Sequence, residues 1–433
     1  MPQRRRASDV TASRLGLATL AYLTVMMGII TLAPFRFAAA PVHGLTSAWT
    51  WSDLVMNVVM FLPFGFVFQL TRPTGAPASA LRVLLYGALL SGCVETAQLF
   101  EATRFSSLFD VATNATGAAL GALLYRWIVR AIEGENAVRT LALELPLMAL
   151  VYLLVPLMWL IGLASGGDSR SWLVLPITAF AGGIMGTVHA AYLQPSRGIA
   201  RGWLLPVALL WFVVAMLPGS IRDPALLASG ALLTVSTAWL RSIATARFRD
   251  RFGNRRFELP TLRLVMPLFA AYLALSSLWP LDEATASWRS AIALYPAGVE
   301  LSDRAIYLML EHIAAFTLVG YIVAEFYGRD LARYRQVAPH VVAWGSGVSL
   351  LLEATRGWHP LYGASLAMLI ITVAACAIGG WLYQLQREHV KALLTRRTRA
   401  TNDARATPND SRPIASGPIP SHEHAPTLDR RRA

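Results

Sequence analysis

LRVLLYGALLSGCVETAQLFEATRFSSLFDVATNATGAALGALLYRWIVR, residues 81–130, is the stretch on which the fold turns. It contains two apolar runs, 81–99 and 109–130, each long enough to cross a hydrocarbon core as a helix. At their join the chain places Glu95, Gln98, Arg104, Asp110 and Asn114. Working outward, the same alternation of apolar run and short charged island continues in both directions. Ten further segments fall at 15–33, 53–71, 143–163, 172–193, 203–219, 225–243, 262–280, 305–327, 338–356 and 363–385. With 55% hydrophobic and 15% charged residues and a mean hydropathy of +0.49, the composition excludes a soluble globular domain. The expected fold is all-α, a polytopic membrane bundle of about 12 helices.

The net charge of +13 raises the question of a nucleic-acid partner, but topology explains it. On alternate connections and the two termini lie 31 of the 38 Lys and Arg residues; the other side holds Arg36, Arg104, Arg170, Arg222, Arg289, Arg304 and Arg356. The positive-inside rule then puts both termini in the cytoplasm, and no nucleic acid is expected. The basic loop 244–261 and the basic N-terminus 1–14 face membrane lipids, whose anionic headgroups they attract. A polar tail, 389–433, is expected to be disordered and cytoplasmic, with His422 and His424 as solvated residues. Cys93 and Cys376 sit in apolar runs as packing residues, which argues against a disulfide framework or a thiolate metal site. His189 reads the same way.

The chain also echoes itself. WSDLVMNVVMFLPFGFVF (51–68) aligns with the helix at 305–326 when Asn57 is set on His312, which carries Phe61 onto Phe316 and Gly65 onto Gly320. Setting Glu95 on Glu353 carries Gly121 onto Gly379, and TLAPF (31–35) resembles SLWPL (277–281). This divides the chain into a four-helix module at 15–133, a central four-helix block at 134–243 and a second, degenerate module at 262–388. In the second module Arg356 stands for Gln98, and Met368 and Thr372 stand for Asp110 and Asn114. Arg356 lies one turn from Glu353 and within its reach.

Within the first module, Asp53 and Asn57 open one helix and Asp110 and Asn114 open another, each pair one turn apart on a single face. Glu95 and Gln98 share a face at the end of the intervening helix, and Arg104 follows in the loop. Seven polar residues, Asp53, Asn57, Glu95, Gln98, Arg104, Asp110 and Asn114, should therefore meet just inside the outer interface. Intramembrane carboxylates facing lipid are costly, so they should point into a wet cleft and pair with Arg104 or a ligand. The two aspartates also stand where a helix N-terminus favours an acid, and capping is the competing explanation for both. Glu95, near a helix C-terminus, has no such excuse; its competing explanation is an ion pair with Arg104. Pro63 and Gly65 either kink the second helix beside the cluster or simply pack. Gly117 and Gly121 form a packing face, and Trp49 and Trp51 suit the interfacial aromatic belt.

Three motifs carry a resemblance: APF at 33–35, D-x3-N-x3-F-x-P-F-G at 53–65, and E-x2-Q with the downstream Arg and D-x3-N-x2-G at 95–117. Together they resemble the VanZ-like family, small bacterial membrane proteins named for an accessory protein of glycopeptide (teicoplanin) resistance. The resemblance implies a multi-pass protein of the bacterial cytoplasmic membrane with a cell-envelope role, in antibiotic resistance or in handling a surface polymer or lipid-linked intermediate.

Three functions fit the residues. In the first, an outward-facing cleft binds a polar headgroup, glycan, surface polymer or glycopeptide through carboxylates, amides and one arginine, with no cofactor. In the second, an enzyme acts on a lipid-linked substrate, with Glu95 or Asp110 as general base and Arg104 steadying a phosphate; three acids could then also hold a divalent cation. The third, a transporter, ranks last because the acids sit near one face and not at the midplane. The residues leave the oligomeric state open.

Overall fold

The computed structural model describes residues 2–46, 50–72, 77–131, 145–219, 221–247, 257–279, 287–293, 302–328, 333–359 and 363–406. By its contacts the chain divides into Met1–Ala392 and Leu393–Ala433, and the site lies in the first unit. Among the described residues twelve long helices follow one another: α1 Pro2–Leu32, α2 Trp51–Leu70, α3 Ala80–Gln98, α4 Leu108–Ala131, α5 Pro146–Ser165, α6 Val174–Val188, α7 Leu204–Met216, α8 Pro224–Arg247, α9 Glu258–Leu278, α10 Asp303–Tyr327, α11 Tyr334–Arg356 and α12 Leu366–Ala406. Eleven of these, two with their adjoining short turns, are long and apolar enough to cross a membrane. The exception, α4, has the length but is diluted by Asp110, Thr113, Asn114 and Thr116. The bundle is thus the expected all-α polytopic fold.

Local chemistry sets the helix starts. Thr50 and Asp53 form a capping box on α2: Thr50 Oγ1 accepts from the Asp53 N–H at 3.2 Å, and the Asp53 carboxylate accepts from the Thr50 N–H at 3.1 Å. Ser79 and Ser302 cap α3 and α10 through the third residue on.

Two of the first module's glycines let backbones touch. A Cβ on Gly65 would lie 1.8 Å from the Ala118 carbonyl oxygen, and one on Gly121 would lie 2.0 Å from that of Leu62, so α2 and α4 cross with nothing between them. This is packing, and α2 continues unbroken through Pro63. The second module repeats it. A Cβ on Gly320 would lie 1.8 Å from the Cys376 oxygen, and one on Gly379 would lie 1.8 Å from that of Thr317.

Other contacts recur in register. Thr46 pairs with Ser107 in a parallel bridge, and Ala291 pairs with Ser365 in a two-residue parallel ladder. Asn114 Nδ2 donates to Ser91 Oγ at 2.9 Å, and Thr372 Oγ1 meets Ser349 Oγ at 2.6 Å. Arg104 Nε donates to the Ala33 carbonyl, and a His359 ring nitrogen meets the Trp279 carbonyl, so in each module the third helix's trailing loop grips the end of the first helix.

α5 and α6 of the central block and α10 of the second module are the least exposed membrane helices. Trp159 and Trp211 donate their indole N–H groups to the Val214 and Val151 carbonyls, satisfying both polar tips in an apolar core. His189 contacts Ser242 and the Ile199 carbonyl, in keeping with a packing role. A bond network that the sequence reading missed joins this block to the second module. Arg170, in the turn before α6, donates Nη1 and Nη2 to Glu311 at 2.7 and 2.9 Å, and Tyr272 Oη donates to the same carboxylate at 2.7 Å.

At the chain ends the structure differs from expectation. α1 begins at Pro2, well before the apolar run, and α12 runs to Ala406. Residues 389–406, expected to be disordered, are therefore helical; EHVKALLTRRTRA (388–400) is rich in good helix formers, which a polarity-based reading underweights. Residues 248–256 of the basic loop, residues 407–433 with His422 and His424, and Trp49 lie outside the described residues.

Candidate functional site

Two loops build the floor of the site. Residues 36–46 lie along residues 99–106, bonded from Ala38 N to Phe100 O at 2.8 Å, Val42 N to Leu99 O at 2.8 Å, Ala102 N to Arg36 O at 3.0 Å and Thr46 N to Ser106 O at 2.9 Å. Glu101, which the sequence reading passed over, knots them together. Its carboxylate accepts from Arg36 N at 3.1 Å, Thr103 N at 2.7 Å and Thr103 Oγ1 at 2.9 Å. Burial works to raise the Glu101 pKa, but these donors outweigh it and hold the carboxyl below its ordinary range.

On this floor stands a cleft of about 640 Å³, lined by Asp53, Asn57, Gln98, Arg104 and Asp110 together with Thr31, Thr103, Ser107 and apolar residues. Its far wall lies outside the first module: Leu163 of α5, Pro218 after α7, and Tyr307 of α10. Behind it, between α1, α2, α3 and α4, sits an inner cavity of about 60 Å³ that shares Thr31, Asn57, Met60, Gln98 and Asp110 and adds Glu95 and Asn114. All seven residues singled out from the sequence thus border one of two spaces with common walls.

Their bonding sorts them. Asn57 Nδ2 donates to Asp110 Oδ1 at 2.9 Å, linking the starts of α2 and α4. Asp53 serves the α2 capping box, so the capping explanation holds for it, although it also reaches the cleft. Asp110 is different: Ser107 Oγ accepts from the Phe109 N–H at 3.2 Å and does the local capping, which leaves the Asp110 carboxyl to Asn57. Gln98 Nε2 donates to the Thr31 carbonyl at 2.9 Å, tying α3 to the end of α1.

The competing explanation for Glu95, an ion pair with Arg104, does not hold. Glu95 does not bond Arg104; its Oε2 accepts from the Ser107 backbone N–H at 2.7 Å. Arg104 instead donates Nε to the Ala33 carbonyl at 3.0 Å and Nη2 to Tyr307 Oη at 2.7 Å. The reason is local geometry. The turn at Ala33–Phe35, with Phe35 at a φ of 65°, presents a free carbonyl at the end of α1, and the phenol of α10 stands across the cleft. A lone Tyr in an apolar helix gives no sequence signal of this role.

The second module shows what the same frame looks like when filled. Glu353 Oε2 accepts from the Ser365 N–H at 2.7 Å, as Glu95 does from Ser107, but Arg356 in the Gln98 position donates Nη1 to Glu353 Oε1 at 2.9 Å. The carboxylate is neutralised internally. Among the described residues, no three His, Cys, Asp or Glu side chains are grouped to hold a metal ion.

Fold and site define a multi-pass helical membrane protein with a polar cleft at one end of its N-terminal four-helix module. Residues 8–130 match the VanZ/LLP1 family, so that module is VanZ-like. No curated protein and no solved structure matches the chain.

Proposed function

We propose that the protein is a cell-envelope component of the bacterial cytoplasmic membrane, with both termini cytoplasmic, whose cleft faces outward and binds the polar part of an envelope amphiphile, glycan or glycopeptide. One observation carries this reading: Asp53, Asn57, Glu95, Gln98, Arg104, Asp110 and Asn114 converge on two spaces with common walls, yet the carboxyls there are not neutralised by Arg104. A sequence that placed these groups for packing alone would pair them, as the second module pairs Glu353 with Arg356. The VanZ-like match supports an envelope role, including a part in glycopeptide resistance.

A second reading, catalysis on a lipid-linked intermediate, is favoured by the two carboxyls Glu95 and Asp110 bordering one cavity. Incubating the purified full chain with isotope-labelled lipid-linked glycans, followed by mass spectrometry, separates the two. Retention of unaltered ligand supports binding, and turnover lost in Glu95→Gln with folding intact supports catalysis. Neither retention nor turnover of any envelope amphiphile would refute both.

A further inference from the structure

The inner cavity has an apolar half, from Met27 to Val94 of α1–α3, and a polar half in which Asn57, Glu95, Gln98, Asp110 and Asn114 supply mostly acceptors. Gln98 is 8% exposed and Asn114 is 5% exposed, and each has a carbonyl oxygen, Oε1 and Oδ1 respectively, with no hydrogen-bond partner. The orientation of Gln98 is fixed, because its Nε2 donates to the Thr31 carbonyl, which cannot donate in return, and Oε1 is left without a partner. Asn114 spends Nδ2 on Ser91. Asn57 spends one of its two amide N–H groups on Asp110. One oxygen of Glu95 is taken by the Ser107 N–H, with the Ser106 hydroxyl beside the same carboxyl, and one of Asp110 by Asn57, which leaves Asp110 a second oxygen. The nearest cation, Arg104, is held at the cleft by Ala33 and Tyr307 and does not line the inner cavity.

Buried acceptors without donors are costly, and several such groups around one small space define what would relieve them. We infer that the inner cavity takes a protonated primary amine, the terminal ammonium of a ligand whose remaining polar part lies in the outer cleft toward Arg104. An ammonium has three N–H donors and no acceptor, matching the Gln98 and Asn114 oxygens and the carboxyls. About 60 Å³ accommodates a group of that size, whereas a trimethylammonium has no N–H to offer. The inference rests on the proposed binding function and adds the ligand's chemical class. The amine could be carried by a membrane lipid headgroup or by a soluble amine, and the test separates these sources.

The full chain is reconstituted in phosphatidylcholine nanodiscs containing phosphatidylethanolamine or phosphatidylglycerol, and bound lipid is counted by native mass spectrometry. Phosphatidylethanolamine should be retained over both other lipids by about tenfold or more, the worth of one satisfied buried acceptor. Gln98→Leu, close in volume, should abolish most of that preference. Should Gln98→Leu fail to fold, the wild-type comparison of the ethanolamine and choline lipids still decides, and competition by methylammonium identifies the source of the amine. Displacement by methylammonium at matched concentration assigns the site to soluble amines, and resistance to it assigns the site to the lipid; both support an ammonium pocket. Equal retention of the choline lipid, or an Arg104-dependent preference for phosphatidylglycerol, would overturn the inference while leaving a headgroup-binding cleft in place. No lipid retained by the wild type, and no effect of methylammonium, would overturn the inference, and the binding function would then rest on the lipid-linked glycan experiment.

Discussion

Removing one partner of the Arg170–Glu311 pair should be among the most damaging single changes in the central block. Arg170 and Glu311 are 3% and 0% exposed, the guanidinium meets both carboxylate oxygens, and Tyr272 adds a third bond. The network pins the turn before α6 to α9 and α10, so it joins three parts of the fold at one point. In Arg170→Met, Glu311 keeps only the Tyr272 phenol, and an unpaired buried carboxylate costs roughly 3–5 kcal/mol. Tyr272→Phe, which leaves the ion pair intact, should cost about 1.5–3 kcal/mol for the loss of a bond to a charge. In the double variant Arg170→Met with Glu311→Leu, both charges disappear together, and apolar replacement of a buried pair is often neutral. Equilibrium unfolding of the purified chain in detergent should then show the double variant recovering most of the single-variant loss. If Arg170→Met and Tyr272→Phe both stay within about 0.5 kcal/mol of wild type, or the double variant is no more stable than Arg170→Met alone, the network is not the joint described here.

Gly65→Ala and Gly320→Ala should each destabilise by about 1–3 kcal/mol or more in the same unfolding assay, because the new methyl meets a backbone oxygen at 1.8 Å in both cases. Gly347→Ala, in open space on α11, should be neutral or stabilising by up to about 1 kcal/mol. A clash-free outcome at Gly65 would contradict the α2–α4 contact. The Glu101 carboxyl titrates below its ordinary range, so its stabilisation is complete above the unfolded group's pKa of about 4.3 and is lost as pH falls through the lower folded value. Glu101→Gln should therefore lower stability at neutral pH and flatten its decline in acid; an unchanged acid profile would count against the loop knot.

What could be read from sequence follows from what a membrane makes conspicuous. Apolar runs of bilayer length leave little choice of fold, and Glu95, Gln98, Asp110 and Asn114 stand out because such residues are costly within a membrane. Their convergence was legible from helix direction and one-turn spacing alone. The partner of each group was not. Glu95 and Arg104 are close in sequence and opposite in charge, yet a backbone N–H and a carbonyl, invisible in a residue code, win both. Arg170 and Glu311 are 141 residues apart, so their pairing had no local signal, although an acid in AIYLMLEHIAAF required some partner. Tyr307 shows the same limit: the far wall of the cleft comes from helices with no motif of their own.

Phe105 lines the cleft and is 63% exposed, which makes it the place to ask where the cleft opens. Phe105→Cys, in a chain with Cys93 and Cys376 replaced by Ala, should react in intact cells with a membrane-impermeant maleimide, and an excess of the retained amphiphile should slow that reaction. Labelling seen only after the membrane is permeabilised would place the cleft on the cytoplasmic side and contradict the account.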